Sequence, residues 1–347
     1  MPSFINHLPQ YWTEGALRSL EGFRNGLTEP FPLREDPPSV TPYEVIAAAG
    51  KMRLRYYRAT GQSQPISLLL VCPLIKRPYI LDLVPDKSVV QSLVGQGIDL
   101  YLTDWIPPTR SDSWRGFDAY VNGDLDNAVR AVQLHAGVEQ VPLLGYCFGG
   151  LLTTIYTALH PEKIASLITL TLLLDLSTRE IPLFGLLDKL RPKTLDLVTA
   201  PYGNCPAWFI KAGFNAMSPV HHDLDKYVAL YRNKDKEGYA EMFALFEWWM
   251  NSDVPLAGQI FCETLQGIFQ QNLLMQNRLQ VGGKRVALMQ ISCPVVNVIG
   301  EYDDVVHSTS SLPLPELVSS ADKANLLFPT GHIGVVVSTA AHNKLWP

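Results

Sequence analysis

At 347 residues, with 47% hydrophobic and 18% charged residues, the chain carries enough apolar material for a large core and none of the compositional bias of a disordered polymer. A formal net charge of −5, with no basic clusters, gives no electrostatic basis for nucleic acid or an anionic membrane as partner. The N-terminus lacks the features of a secretory signal. No apolar run approaches the roughly 18 residues of a transmembrane helix. Five scattered cysteines without CxxC spacing argue against a disulfide framework and a zinc site, and for reduced thiols in the cytoplasm.

Along the chain, residues 1–40 read as helix and loop lying on a core. The stretch 51–58 (KMRLRYYR) alternates like an early edge strand. Ser67–Val71 (SLLLV) reads as a buried strand, 88–96 as a helix and 99–103 as another strand. From Phe117, apolar residues recur at Tyr120, Val121, Leu125, Val129 and Val132, a helical stripe. Val141–Tyr146 is a strand leading into the first motif, and 164–174, 293–299 and 324–328 are further strands. Alternation of this kind predicts an α/β fold, a mostly parallel sheet with helices on both faces. Between 176 and 285 the rhythm breaks into helical patches with prolines and aromatics, among them Trp208, Phe209, Phe214, Trp248 and Trp249. That stretch is expected to be a cap inserted into a core made of 1–175 and 286–347. A second packing layer is the plainer alternative.

The chemistry starts at Gly145-Tyr146-Cys147-Phe148-Gly149-Gly150. This is the G-x-nucleophile-x-G form of a nucleophile elbow, placed between a strand and a helical segment, as in the α/β-hydrolase fold. The glycines allow a tight turn that projects Cys147, and the following helix brings a positive dipole end near the sulfur. The alternative, a structural cysteine in a Gly-rich turn, does not account for the strand context. In this fold an acid and then a histidine follow in chain order. Asp303, in the loop after a strand ending at Gly300, fits the acid, with adjacent Asp304 as competitor. His332, between Gly331 and Ile333-Gly334 at a loop tip, fits the base. His307 sits near the acid loop, with a surface or supporting position as its default. His221-His222 could pass for a metal pair, but adjacent side chains diverge, and no metal is expected. An acyl oxyanion needs two N–H donors. Phe148 N–H is one candidate, and Ile75, give or take one residue, is the other. Lys76 and Arg77 could meet substrate phosphates or be solvated surface charges.

Several segments in order resemble the polyhydroxyalkanoate synthases, specifically the short catalytic subunits that work with a second subunit. They are Arg77-Pro78-Tyr79-Ile80-Leu81-Asp82-Leu83, the strand ending in Asp104-Trp105, the elbow, Phe214-Asn215-Ala216-Met217-Ser218-Pro219, Gly282-Gly283, and Gly331-His332-Ile333-Gly334. The long N-terminal extension of the single-component members is not seen, which points to the two-component type. The resemblance implies polymerisation of (R)-3-hydroxyacyl groups, such as 3-hydroxybutyryl, from coenzyme A thioesters onto a growing polyester chain. Cys147 would hold the acyl group, His332 would deprotonate the thiol, and Asp303 would help activate the attacking 3-hydroxyl. It also implies no cofactor beyond the coenzyme A substrate, an activating second subunit, a homodimer, and a cytoplasmic place at the surface of polyester granules.

There are departures from the family pattern. Asp304 stands where members usually have His, His307 where they have Pro, and Lys76 where they often have Asn. The chain ends shortly after His332, which implies a short or cut final helix. Two rival readings follow from the same residues. One is a cysteine hydrolase of the dienelactone-hydrolase kind, although those chains are shorter and lack so long an insertion. The other is a non-catalytic granule-associated scaffold.

Overall fold

The computed structural model describes residues 39–62, 66–176, 198–217 and 239–347. Readings placed on 1–38, on His221-His222, on Ser218-Pro219 and on the side chain of Phe214 lie outside the described residues.

The core is an eight-stranded sheet. Its strands are β1 (Glu44–Ala49), β2 (Met52–Tyr57), β3 (Ser67–Val71), β4 (Asp99–Trp105), β5 (Val141–Tyr146), β6 (Ile164–Leu170), β7 (Val295–Gly300) and β8 (Lys323–Phe328). The spatial order is β1-β2-β4-β3-β5-β6-β7-β8. β2 runs antiparallel to both of its neighbours, and every pairing from β4 through β8 is parallel. The central strands β3 and β5 are continuous apolar runs because a sheet flanked by helices buries both faces. Helix α1 (Val89–Gly95) is capped by Ser88, whose hydroxyl accepts from Gln91 N–H at 2.8 Å. Helix α2 (Asp126–Ala136) follows a wider π-type turn at Ala119–Leu125, and α3 (Phe148–Leu159) follows β5.

Two sequence expectations need correction. Residues 51–58 do not form the edge strand, because β1 pairs outside β2. β1 (EVIAAA) is half exposed and carries only Val45 and Ile46 as bulky apolar residues, so its alternation is faint. The strand expected over 164–174 ends at Leu170, where Thr171 takes a φ of 50° and turns the backbone out of the sheet. The apolar residues Leu172, Leu173 and Leu174 then fill the core from a loop, which is why the run reads as strand.

Within 176–285, the described residues include helix α4 (Ala207–Met217), helix α5 (Tyr239–Asn251) and a two-residue ladder between Asn204–Cys205 and Leu256–Ala257. Helix α6 (Gly258–Glu263) continues into a π-type turn, Thr264–Gln270. Ile260, Phe261 and Ile268 from this last part are buried with the main core. Gln259 and Ile260 donate their N–H groups to the carbonyls of Ser113 and Arg115, at 2.8 and 3.0 Å.

Candidate active site

The site is built at the C-terminal ends of the parallel strands. β5 delivers the chain to Cys147, which sits at φ 54°, ψ −117°, immediately before α3. Such a conformation costs a non-glycine residue on the order of 1–3 kcal/mol and persists only where its surroundings hold it. Here Cys147 N–H donates to Leu170 O at 2.9 Å, while Cys147 O accepts from Gly150 N–H at 2.9 Å and Leu151 N–H at 3.3 Å. The turn is also sterically closed, since a methyl group on Gly149 would collide with the carbonyl oxygen of Val71 at the end of β3. Gly149→Ala should therefore destabilise the chain by about 1–3 kcal/mol, as overpacking does. Thermal unfolding of the two proteins side by side measures this, and an unchanged midpoint would mean that β3 yields to the elbow.

The acid and histidine loops are stitched together before any side chain meets. β7 and β8 pair through Gly300 and Phe328, and Tyr302 N–H donates to Thr330 O at 3.0 Å. His332 Nδ1 lies 2.7 Å from Asp303 Oδ2, and both residues are buried. The other carboxylate oxygen, Oδ1, accepts from Val305 and Val306 N–H at 2.9 and 2.7 Å. Those bonds fix the carboxylate plane, which points Oδ2 at the imidazole. Asp304, next in sequence, is half-buried, and the bond to His332 is made by Asp303. His307 caps the short turn Ser308–Ser310, with Nδ1 2.9 Å from Thr309 Oγ1.

The Cys147 sulfur is one of the groups that act electrostatically on His332. Burial disfavours the imidazolium. The Asp303 carboxylate and the Cys147 sulfur outweigh it and hold the His332 pKa well above the ordinary histidine value. Tyr146, fully buried under the site, stacks on His332 with ring centroids 5.7 Å apart, a support that the sequence reading missed. Burial pushes the thiols of Cys72 and Cys293 up, and that of Cys205 up to about 12, which keeps all three protonated and unreactive at neutral pH. Among the described residues no group of His, Cys, Asp and Glu could hold a metal ion, and no helix is long and apolar enough to cross a membrane.

The two oxyanion candidates come from adjacent elements. Phe148 opens α3, its ring buried and stacked on Phe117. Ile75 lies in the loop after β3, whose start is pinned by Cys72 N–H donating to Thr103 Oγ1 at 3.0 Å and Trp105 Nε1 donating to Cys72 O at 2.8 Å. Lys76 and Arg77 are both largely withdrawn from solvent, which corrects the reading of them as solvated surface charges. Lys76 pairs with Asp253 at 2.6 Å, and Arg77 donates to Trp105 O at 2.9 Å.

An eight-stranded sheet in this order, a positive-φ cysteine between β5 and α3, and a histidine–carboxylate pair after β7 and β8 define an α/β hydrolase. The family model for the alpha/beta hydrolase fold matches residues 81–339. In structure the chain is similar to a monoacylglycerol lipase from Paleococcus ferrophilus, with a TM-score of 0.53 and 16% identity, covering 84% of this chain and 96% of that one. That likeness concerns the fold alone. In sequence it is 39% identical to the Poly(3-hydroxyalkanoate) polymerase subunit PhaC of Haloferax mediterranei over 88% of this chain, and it spans 62% of that relative's length. It is 33% identical to the subunit of the same name from Allochromatium vinosum, with 89% of this chain and 87% of that one covered. The chain belongs to the PhaC family of poly(3-hydroxyalkanoate) polymerase subunits.

Proposed function

We propose that this chain is the acyl-transferring subunit of a poly(3-hydroxyalkanoate) polymerase, with Cys147, His332 and Asp303 as its catalytic groups. The observation that carries the reading is the 2.7 Å contact between His332 and Asp303, set beside a cysteine at the elbow of a PhaC-family chain. The Cys147 thiolate attacks the carbonyl of an (R)-3-hydroxyacyl coenzyme A, 3-hydroxybutyryl being the first choice. His332 takes the thiol proton and passes it to the departing coenzyme A sulfur, leaving the acyl group on Cys147. The 3-hydroxyl of the next unit then attacks this thioester while His332 takes its proton; an ester forms, the C–S bond breaks, and the cysteine sulfur leaves and recovers that proton from His332. Exchange between thioesters is nearly isoenergetic, so a thiol can hold a chain that a serine ester would release less readily.

Asp303 acts through the imidazole in this scheme. Its Oδ2 faces His332 and its Oδ1 is held by two backbone N–H groups in a carboxylate that is almost completely buried. It therefore activates the attacking hydroxyl by keeping His332 a base with Nε2 turned toward substrate. Backbone N–H groups of Phe148 and Ile75 would stabilise the oxyanion. The reaction needs no cofactor beyond the coenzyme A substrate. A second, activating subunit and residence at the granule surface complete the proposal.

Incubation with 3-hydroxybutyryl coenzyme A, with and without a partner subunit, tests the reading. Polymer supports it. Free hydroxy acid would indicate a hydrolase, and no turnover a scaffold. The stretch 176–285 is proposed to act as a lid, its opening favoured by the partner. Alkylation of Cys147 by a bulky thiol reagent should then be slow in the isolated chain and faster once partner or substrate is added. Rapid alkylation independent of the partner would remove the lid from the scheme.

A further inference from the structure

The loop after β3 is gripped by a segment far along the chain. Lys76 reaches Asp253 Oδ1 at 2.6 Å, donates to Met250 O at 2.7 Å, and places its ammonium 5.3 Å from the centre of the Trp249 ring. Trp249 is itself buried and donates from Nε1 to Arg77 O at 2.9 Å. Val254 N–H donates to Ile75 O at 3.4 Å. The neighbouring Trp248 stacks against Tyr79 with centroids 4.9 Å apart, and Tyr79 OH donates to Ser252 Oγ at 3.0 Å. The carbonyls of residues 75 and 77 are thus both fixed by the end of α5 and the residues after it, and the side chain between them is plugged into the same segment.

The charges make this grip specific. Lys76 and Asp253 side chains are 11% and 4% exposed. Apart from the Lys76 ammonium, neither Asp253 oxygen meets a hydrogen-bond donor among the described residues. Asp253 is therefore tolerated because of Lys76, and separating the two would leave two buried charges without their counter-charge. Burial lowers the Lys76 pKa against the pull of Asp253, a measure of how dry the contact is. A solvated lysine would leave the loop held only by the bonds from Trp249 and Val254 and the Tyr79 contacts. This one ties the backbone of 75–77 to the end of α5.

We infer that Lys76 and Asp253 form a latch that positions the β3 loop, so that the Ile75 N–H stays aimed at the acyl oxyanion while α5 is docked. The inference rests on the acyl-transfer reading above and adds two positioning residues to it. It also links that lid to chemistry, because undocking α5 releases the loop that holds one of the two donors. Misplacing a donor by about 1 Å costs on the order of 10²-fold in rate.

The test compares two reactions of the same sulfur in the full-length chain. Acylation by 3-hydroxybutyryl coenzyme A passes through an oxyanion, whereas alkylation by iodoacetamide does not. The variant carries Lys76→Met and Asp253→Asn together, so that neither charge is orphaned and the fold is kept. We expect Cys147 acylation, followed by mass spectrometry, to fall about 10- to 100-fold through kcat with little change in KM. Alkylation of Cys147 should stay within about twofold, since the sulfur and His332 are untouched. Unchanged acylation overturns the latch. Acylation and alkylation falling together, with a lowered melting temperature, overturns it as well, because the pair would then serve only to keep the site folded. A parent chain that takes no acyl group on Cys147 overturns the acyl-transfer reading itself, and the latch with it.

Discussion

Cys147→Ala is expected to lower coenzyme A release from a 3-hydroxyacyl thioester by at least about 10⁴-fold, the scale on which loss of a nucleophile acts in comparable triads. No nearby group can take its place. Cys72 and Cys205 are buried thiols, protonated at neutral pH, and Cys72 is bound into the end of β3 by its backbone. Water is a poor substitute, since a His332 freed of its sulfur partner would have to activate a molecule that the family chemistry needs to exclude. The variant should fold normally. Alanine is smaller than cysteine, the strained turn is held by backbone bonds to Leu170, Gly150 and Leu151, and none of these uses the sulfur. Circular dichroism and thermal unfolding should match the parent, and mass spectrometry should find no acylated peptide. A variant that kept more than a few per cent of parental turnover would show that acyl transfer bypasses Cys147.

The elements that the sequence displayed well are those whose environment is uniform along their length. β3 and β5 lie between helix layers, so their apolar runs and their boundaries coincide. The elbow was legible because its glycines, strand and helix are local to one another. β1 was not, since a half-exposed strand with only two bulky apolar residues carries no hydrophobic period. The end of β6 was misplaced because leucines continue past Thr171 into buried loop, and composition alone does not record a turn in the backbone. The Lys76–Asp253 pair lay beyond reach for a different reason. Its partners are distant in sequence, and a lone lysine next to an arginine reads as surface until the fold brings a carboxylate to it. Adjacent carboxylates posed the remaining ambiguity. Spacing allowed either Asp303 or Asp304 to serve, and only the direction of each side chain separates them.

That separation makes the amide variants informative. In the parent, Asp303 Oδ1 accepts two backbone N–H groups and Oδ2 faces His332 Nδ1, so the carboxylate is an acceptor on both sides. Asparagine has one acceptor and one donor there. If its oxygen keeps the Val305 and Val306 N–H groups, its NH₂ is turned on His332 Nδ1. The imidazole then answers with an unprotonated Nδ1 and carries its proton on Nε2, toward the sulfur, where a base is needed. The opposite amide orientation leaves an NH₂ against two N–H donors in a buried site, at a cost of about 1–3 kcal/mol for each unmet group. Either way, the interactions that hold the His332 pKa up are weakened, and the imidazolium loses the neighbour that outweighs its burial. Chain elongation should fall roughly 10²- to 10⁴-fold in Asp303→Asn, the upper figure being the loss seen when a triad acid is made an amide. The first acylation should suffer less, because an unaided thiol is already a fair nucleophile, whereas an unaided hydroxyl is not. Asp304→Asn should change elongation by no more than about threefold, since the contact to His332 is made by its neighbour. Single-turnover acylation and steady-state polymer formation, measured on both variants, distinguish the two steps. The reverse ranking, with Asp304→Asn the more damaging, would move the acid's role to Asp304 and require the loop to rearrange when substrate binds.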